Sequence, residues 1–123
     1  MGNHGFYHLN GFNTKTKTYL KNVEKSEELI HSNLYRPPYG KMRYRQYKAL
    51  NRAYRIILWD TMSYDFDEYL SAEECANLVI KHAKPGSIIV FHDNLKARNK
   101  VLKVLPNVFE YFSDKGYKFD TIQ

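Results

Sequence analysis

The sequence predicts an α/β protein built on a parallel sheet, either open or closed into a barrel. Three observations point there. Helical and strand-like stretches alternate along all 123 residues. Residues 55–60 (Arg-Ile-Ile-Leu-Trp-Asp) and 87–92 (Ser-Ile-Ile-Val-Phe-His) are continuous apolar runs rather than alternating ones, the pattern of strands covered on both faces of a parallel sheet. Between them lies a helix with a start and a stop signal, so strand, helix and strand form a right-handed crossover unit. In such folds ligands bind where the carboxyl ends of the strands meet the loops.

Residues 1–14 are rich in Gly and Asn and read as loop, with Asn13-Thr14 able to cap a helix start. Residues 15–33 follow as a helix, with Leu20, Val23, Ile30 and Leu34 at roughly helical spacing. Leu34-Tyr35-Arg36 is a short strand. Pro37-Pro38 stops it, since proline lacks a ladder donor and restricts the residue before it. Residues 42–53 form a second helix with Tyr44, Tyr47, Leu50 and Tyr54 on one face. After the strand at 55–60, residues 61–70 are loop. Ser71 and Glu74 make a capping box for a helix that buries Ala76, Val79 and Ile80 and ends at Pro85-Gly86. Residues 97–115 are helical but interrupted by Pro106, and Tyr117-Lys118-Phe119 is a candidate last strand.

The length suits one small domain, residues 1–123. Hydrophobic residues make up 43%, and 11 Tyr and 7 Phe supply much of the core material. The single cysteine, Cys75, excludes an internal disulfide and a multi-thiolate zinc site. No apolar run approaches the roughly 20 residues that span a bilayer, and no basic start followed by an apolar run marks a signal peptide. The net charge of +6 comes from Lys and Arg spread along solvated helix faces, so the sequence carries no nucleic-acid-binding signature.

Four segments carry chemistry. His4 and His8 flank Gly5 in a glycine-rich loop; two imidazoles can ligate Zn, Co, Ni or Fe, although two polar loop histidines would look the same. Arg36-Pro37-Pro38-Tyr39-Gly40 places an arginine at a strand end on a stiff backbone, where it can hold a carboxylate or simply decorate a turn. Asp65 and His92 are a third pair: a carboxylate beside an imidazole favours the form that donates a proton. Asp60 competes with Asp65 for that place. Trp59, at another strand end, can wall a sugar site or belong to the core.

Taken together and in this order, the segments resemble the polysaccharide deacetylase (NodB-homology) family of carbohydrate esterases. That family's pattern has a His-x-x-x-His motif, usually with Ser or Thr after the first His. Arg-x-x-Pro-Tyr, Asp-Trp and Leu-x-His motifs follow it. His4 to His8 match the first with Gly5 as the odd residue, Arg36 to Gly40 the second, Asp65-Phe66 the third with Phe for Trp, and Val90-Phe91-His92 the fourth with Val for Leu. The resemblance implies a distorted (β/α) barrel, a divalent metal (Zn first, with Co or Ni as alternatives) held by His4 and His8, and an acetylated carbohydrate as substrate. It also implies roles for the other residues. Arg36 would orient the catalytic base, Tyr39 would offer its backbone N–H to the oxyanion, Asp65 would tune His92, and His92 would protonate the leaving group. Trp59, Phe66 and Val90 would line the acetyl pocket. The family's Thr-Phe-Asp-Asp type motif precedes its His pair and supplies the base and a third ligand. It has no counterpart here, so the resemblance implies the C-terminal part of a catalytic domain, with a barrel incomplete at its N-terminus and little turnover alone. A non-catalytic, glycan-binding member of the same fold is the alternative.

Overall fold

Asn3 opens the structure with a parallel bridge to Tyr35: its N–H donates to the Leu34 carbonyl at 2.8 Å, and its carbonyl accepts from the Arg36 N–H at 2.9 Å. The computed structural model describes residues 1–122, which fall into two compact units, Met1–Leu58 and one from Trp59 onward. In the first, strand β1 (Leu34–Tyr35) pairs in parallel with β2 (Arg55–Ile56), Leu34 opposite Arg55. Helices α1 (Thr16–Glu27) and α2 (Tyr44–Leu50) complete it. Its core is Tyr19 and Val23 from α1, Tyr35 from β1 and Leu50 from α2. The Tyr35 hydroxyl donates to that of Tyr19 at 2.6 Å, which satisfies a polar group that burial would otherwise penalise. Burial holds both phenols above their usual range.

Several expectations are corrected in this unit. The first helix stops at Glu27, not residue 33. The Leu29 and Ile30 N–H groups both turn to the Ser26 carbonyl, and the Glu27 carboxylate takes the Ser32 N–H at 3.3 Å. Asn13-Thr14 does not cap it; Lys15 precedes it without a side-chain cap, and Asn10 caps a short 3-10 turn at Gly11–Asn13 instead. The face of α2 is also corrected in part: Leu50 lies in the core and Tyr54 packs against it as expected, but Tyr44 and Tyr47 turn outward. Tyr44 and Tyr47 are 72% and 40% exposed, while Gln46 is fully buried. Gln46 is what turns the helix: its Oε1 accepts the Arg43 N–H, and its Nε2 donates to the carbonyls of Gly11 and Thr14, so a polar residue holds the inward position.

In the second unit, β3 (Thr61–Met62) pairs in parallel with β4 (Ile89–Val90). Helices α3 (Ala72–His82) and α4 (Arg98–Asp114) pack through Cys75, Ala76 and Val79 against Val104, Val108 and Phe112. The capping box forms as expected: Ser71 Oγ accepts the Glu74 N–H at 3.1 Å, and Glu74 accepts the Ser71 N–H at 2.7 Å.

The expected strand at 55–60 is split. Only Arg55–Ile56 pairs with β1, and pairing with β4 begins at Thr61, within the stretch read as loop. At Asp60 the contact to the neighbouring segment is partly through the side chain: its N–H reaches the Ile88 carbonyl at 3.3 Å, while its carboxylate takes the Ser87 hydroxyl at 2.6 Å and the Ile88 N–H at 2.7 Å. The Ser87 bond is the main reason its carboxyl lies below the usual range. Burial on both faces does not hold either. Leu58 is 49% exposed, as fits two-stranded sheets in which every strand is an edge.

Helix α4 runs unbroken through Pro106. The residue four positions earlier, Leu102, is 64% exposed, so the carbonyl that loses a donor lies on the solvent side. Residues 117–119 form no strand. After Gly116 (φ +78), the Tyr117 N–H closes onto the Phe112 carbonyl at 3.0 Å, a helix-ending turn. It packs Tyr117 and Phe119 back on Phe112 and Phe109. Among the described residues the strands close no barrel, and no helix is long and apolar enough to cross a membrane.

Candidate functional site

The chemistry-bearing residues lie just past the carboxyl ends of the strands, in two groups, one in each unit. In the first, the bridge at Asn3 sets His4 beside the end of β1. His4 Nδ1 lies 2.6 Å from the Arg36 carbonyl. A carbonyl can only accept, so Nδ1 carries the hydrogen and Nε2 bears the lone pair, the tautomer that a metal-ligating histidine needs. His8 sits with its ring centroid 4.9 Å from that of His4 and 4.8 Å from that of Tyr39. His8 and Tyr39 both adopt left-handed backbone conformations (φ +52 and +59), uncommon for such side chains and concentrated where function constrains the backbone. Pro37 and Pro38, both buried, fix the turn that carries Tyr39. Arg36 is half-buried, its Nε donates to the Ile57 carbonyl at 3.4 Å, and desolvation pulls its guanidinium below its usual value.

In the second unit, Asp65 lies three residues past β3 and His92 two past β4. The Ser63 N–H donates to the Val90 carbonyl at 3.1 Å, which registers the two loops. Asp65 is buried at 1% exposure. Its Oδ2 accepts the His92 backbone N–H at 2.6 Å and its Oδ1 meets His92 Nδ1 at 2.6 Å. His92 is thus held at two points, one on its backbone and one on its ring, with a third of its side chain exposed. Phe66 stands edge-on to the His92 ring, centroids 4.9 Å apart. Val90 is buried in β4, and Trp59 is half-buried. Asp60, the rival to Asp65, is occupied in clasping Ser87 and Ile88.

The donor set in the first unit fits a metal in part. Two imidazoles stand close together and one has its tautomer fixed. Among the described residues, no three His, Cys, Asp or Glu side chains gather where they could hold an ion. Sequence reasoning missed the polar groups that support the site: Asn3 and Asn22, both buried, and Ser63, fully buried beneath Asp65. Asn3 stood next to His4 in plain view; the inward face of Asn22 had no sequence signal.

No family model matches the chain. A peptidoglycan-N-acetylglucosamine deacetylase of Bacillus cereus is 25% identical over 99% of this chain and 61% of its own length. A bifunctional xylanase/deacetylase of Pseudobutyrivibrio xylanivorans is 28% identical over 76% of this chain and 15% of its own. Among solved structures, the Bc1960 peptidoglycan N-acetylglucosamine deacetylase superposes with a TM-score of 0.91 at 25% identity, covering 98% of this chain and 60% of that one. A family 4 carbohydrate esterase from Streptomyces lividans gives 0.83 at 19% identity, over 99% of this chain and 65% of that one. In sequence and in fold the chain is similar to the polysaccharide deacetylases, the family 4 carbohydrate esterases (CE4). It spans about 60% of the length of the deacetylases that head these comparisons.

Proposed function

We propose that this chain serves a metal-dependent carbohydrate deacetylase that removes N- or O-linked acetyl groups from an acetylated oligosaccharide or polymer. Residues 1–123 would belong to one deacetylase domain of distorted (β/α)-barrel type. The observation that carries the reading is the buried Asp65 carboxylate holding His92 at both its backbone N–H and its ring. A carboxylate so placed directs the opposite ring nitrogen, Nε2, toward the reaction and stabilises the imidazolium that donates a proton.

His4 and His8 would hold a divalent ion, zinc first, with cobalt or nickel as alternatives. Bound there, it would polarise the acetyl carbonyl and make a water acidic enough to attack. Arg36, which stays a cation despite its burial, would orient the carboxylate base that takes the water's proton, a group the family's Asp-Asp motif supplies and that has no counterpart among residues 1–123. The Tyr39 N–H would donate to the tetrahedral oxyanion. As the C–N or C–O bond breaks, His92 would hand its proton to the leaving amine or alkoxide, and acetate departs. Trp59, Phe66 and Val90 would wall the acetyl group.

The test is zinc and cobalt affinity of the chain, with His4→Ala/His8→Ala as control, followed by acetate release from acetylated oligosaccharides. Metal taken up by the parent and lost in the control is the expected result, with acetate release slight, since residues 1–123 hold no counterpart of the motif that supplies the base. Metal uptake indifferent to both histidines refutes the site.

A second reading, a glycan-binding domain without turnover, is favoured by a different observation. An open groove of about 510 Å³ in the first unit is lined by Pro37, Met42, Tyr44, Tyr47 and Leu58. The outward tyrosines are of the kind that stack on sugar faces. Glycan retention that survives removal of metal and of His92 supports it.

A further inference from the structure

The loop between His4 and His8 has no regular structure, yet its backbone donors are satisfied one after another. The Gly5 N–H donates to Asn3 Oδ1 at 2.8 Å. The Phe6 N–H donates to the Asn22 carbonyl at 3.2 Å. The Tyr7 N–H donates to Asn22 Oδ1 at 2.7 Å. Asn3 is tied to the same helix by its Nδ2, which donates to the Val23 carbonyl at 3.1 Å. Both asparagines are buried, at 1% and 4% exposure. Two histidines with exposed side chains are therefore carried on a backbone clamped from below by α1.

Asn22 leaves a signature of this task. Its Nδ2 is buried with no hydrogen-bond partner among the described residues, a costly state for an amide donor. The side chain is held for its oxygen. That same Nδ2 stands 2.6 Å from where a Cβ on Gly5 would fall, and Gly5 has φ +75. The glycine after the first histidine and the asparagine on the helix are therefore one steric unit: a side chain at 5 and the amide at 22 cannot both keep their places.

We propose that Asn22 is a positioning residue for the histidine pair, setting the loop in the conformation that presents His4 and His8 together. This rests on the reading of those histidines as metal ligands. Groups that orient ligands without touching the ion typically change metal affinity by about 10–100-fold when removed.

The experiment uses the full chain. Zinc affinity is measured by chelator competition for the parent, Asn22→Ala, Asn22→Asp, Gly5→Ala and the pair Gly5→Ala/Asn22→Ala. Amide hydrogen exchange of Phe6 and Tyr7 is followed without metal. Asn22→Ala is expected to weaken zinc about tenfold or more and to speed Tyr7 exchange. Asn22→Asp, which keeps an acceptor for Tyr7, restores both. The pair loses no more than Gly5→Ala alone, because the clash has gone. Four results overturn the proposal: unchanged Tyr7 exchange in Asn22→Ala, equal zinc loss in the Ala and Asp variants, zinc losses in the pair that simply add, or zinc binding in Asn22→Ala equal to the parent. A parent that takes no zinc, matching His4→Ala/His8→Ala, instead removes the metal reading beneath it.

Discussion

Replacing Asp65 by asparagine separates holding His92 from electrostatically preparing it. Asp65 accepts two bonds of 2.6 Å from His92, one from the backbone N–H and one from Nδ1. A hydrogen bond to a charged group contributes about 1.5–3 kcal/mol. The ring bond belongs at the low end or below, since the His92 side chain is a third exposed. Asp65→Ala removes both and should cost about 2–4 kcal/mol, a large share of a small domain's stability. Asp65→Asn keeps an oxygen for the backbone N–H and should cost only about 1 kcal/mol. Its amide, however, can only donate toward Nδ1. Neutral His92 must then carry its hydrogen on Nε2, reversing the tautomer. In serine proteases, where the histidine must first accept a proton, the equivalent change lowers kcat by roughly 10⁴; here it removes the charge that favours the proton-donating imidazolium, and a fall in the acetate release the parent shows is expected. The tautomer is read independently of activity from the two ring ¹⁵N shifts of His92. The reasoning is refuted if the Asp65→Asn ring keeps its hydrogen on Nδ1, or if turnover survives with the tautomer reversed.

Three further outcomes follow from the packing. Ser71→Ala removes the acceptor for the Glu74 N–H and should destabilise α3 by about 1 kcal/mol, seen as a lower urea midpoint with unchanged slope. Phe112→Ala empties a site 4% exposed between α3 and α4 and should cost about 3–5 kcal/mol by the same assay. The first unit should weaken at high pH. Burial first, then the hydrogen bond to Glu27, push Tyr54 up to about 12. Unfolded tyrosine titrates near 10, so the folded state keeps a proton that the unfolded state has lost. The stability this contributes is complete below about pH 10 and declines as pH rises toward 12. Unfolding followed by tyrosinate absorbance and circular dichroism should show that slope, and Tyr54→Phe should reduce it.

What the sequence disclosed was local chemistry that does not depend on which way an element turns. Ser71 and Glu74 announce a helix start because the capping box is closed within four residues. Asp65 and His92 could be paired because each follows an apolar run, and in a parallel pair both runs deliver their next residues to the same end. Orientation was not legible. Periodicity placed Tyr44 and Tyr47 on one face of α2 but could not say that Gln46, with three hydrogen bonds waiting, would take the inside. The run at 55–60 looked like one strand because nothing in its composition shows Asp60 spending its carboxylate on Ser87 and Ile88. Pro106 looked like a break because its missing N–H is visible in sequence, while the exposure that makes the loss tolerable is not.

Fold likeness alone does not choose between turnover and binding. The architecture that superposes on a peptidoglycan deacetylase at 0.91 also superposes at 0.77 on BA3943 of Bacillus anthracis, a CE4 family pseudoenzyme. The two readings differ in what they demand of particular atoms. Turnover needs the imidazolium form of His92, which donates from its outward nitrogen, and hence the charge of the Asp65 carboxylate. Retention of a glycan in the groove needs only the faces of Tyr44 and Tyr47. The two demands fall on separate residues in separate units, so they can be broken one at a time. Asp65→Asn should abolish acetate release and leave glycan retention as it was. Tyr44→Ala/Tyr47→Ala, on a helix face that supports no core, should lower retention only if the groove binds sugar. A glycan column and an acetate assay run on the same two variants distinguish the cases. If neither variant changes either readout, Asp65, Tyr44 and Tyr47 have no part in either activity and both assignments fall.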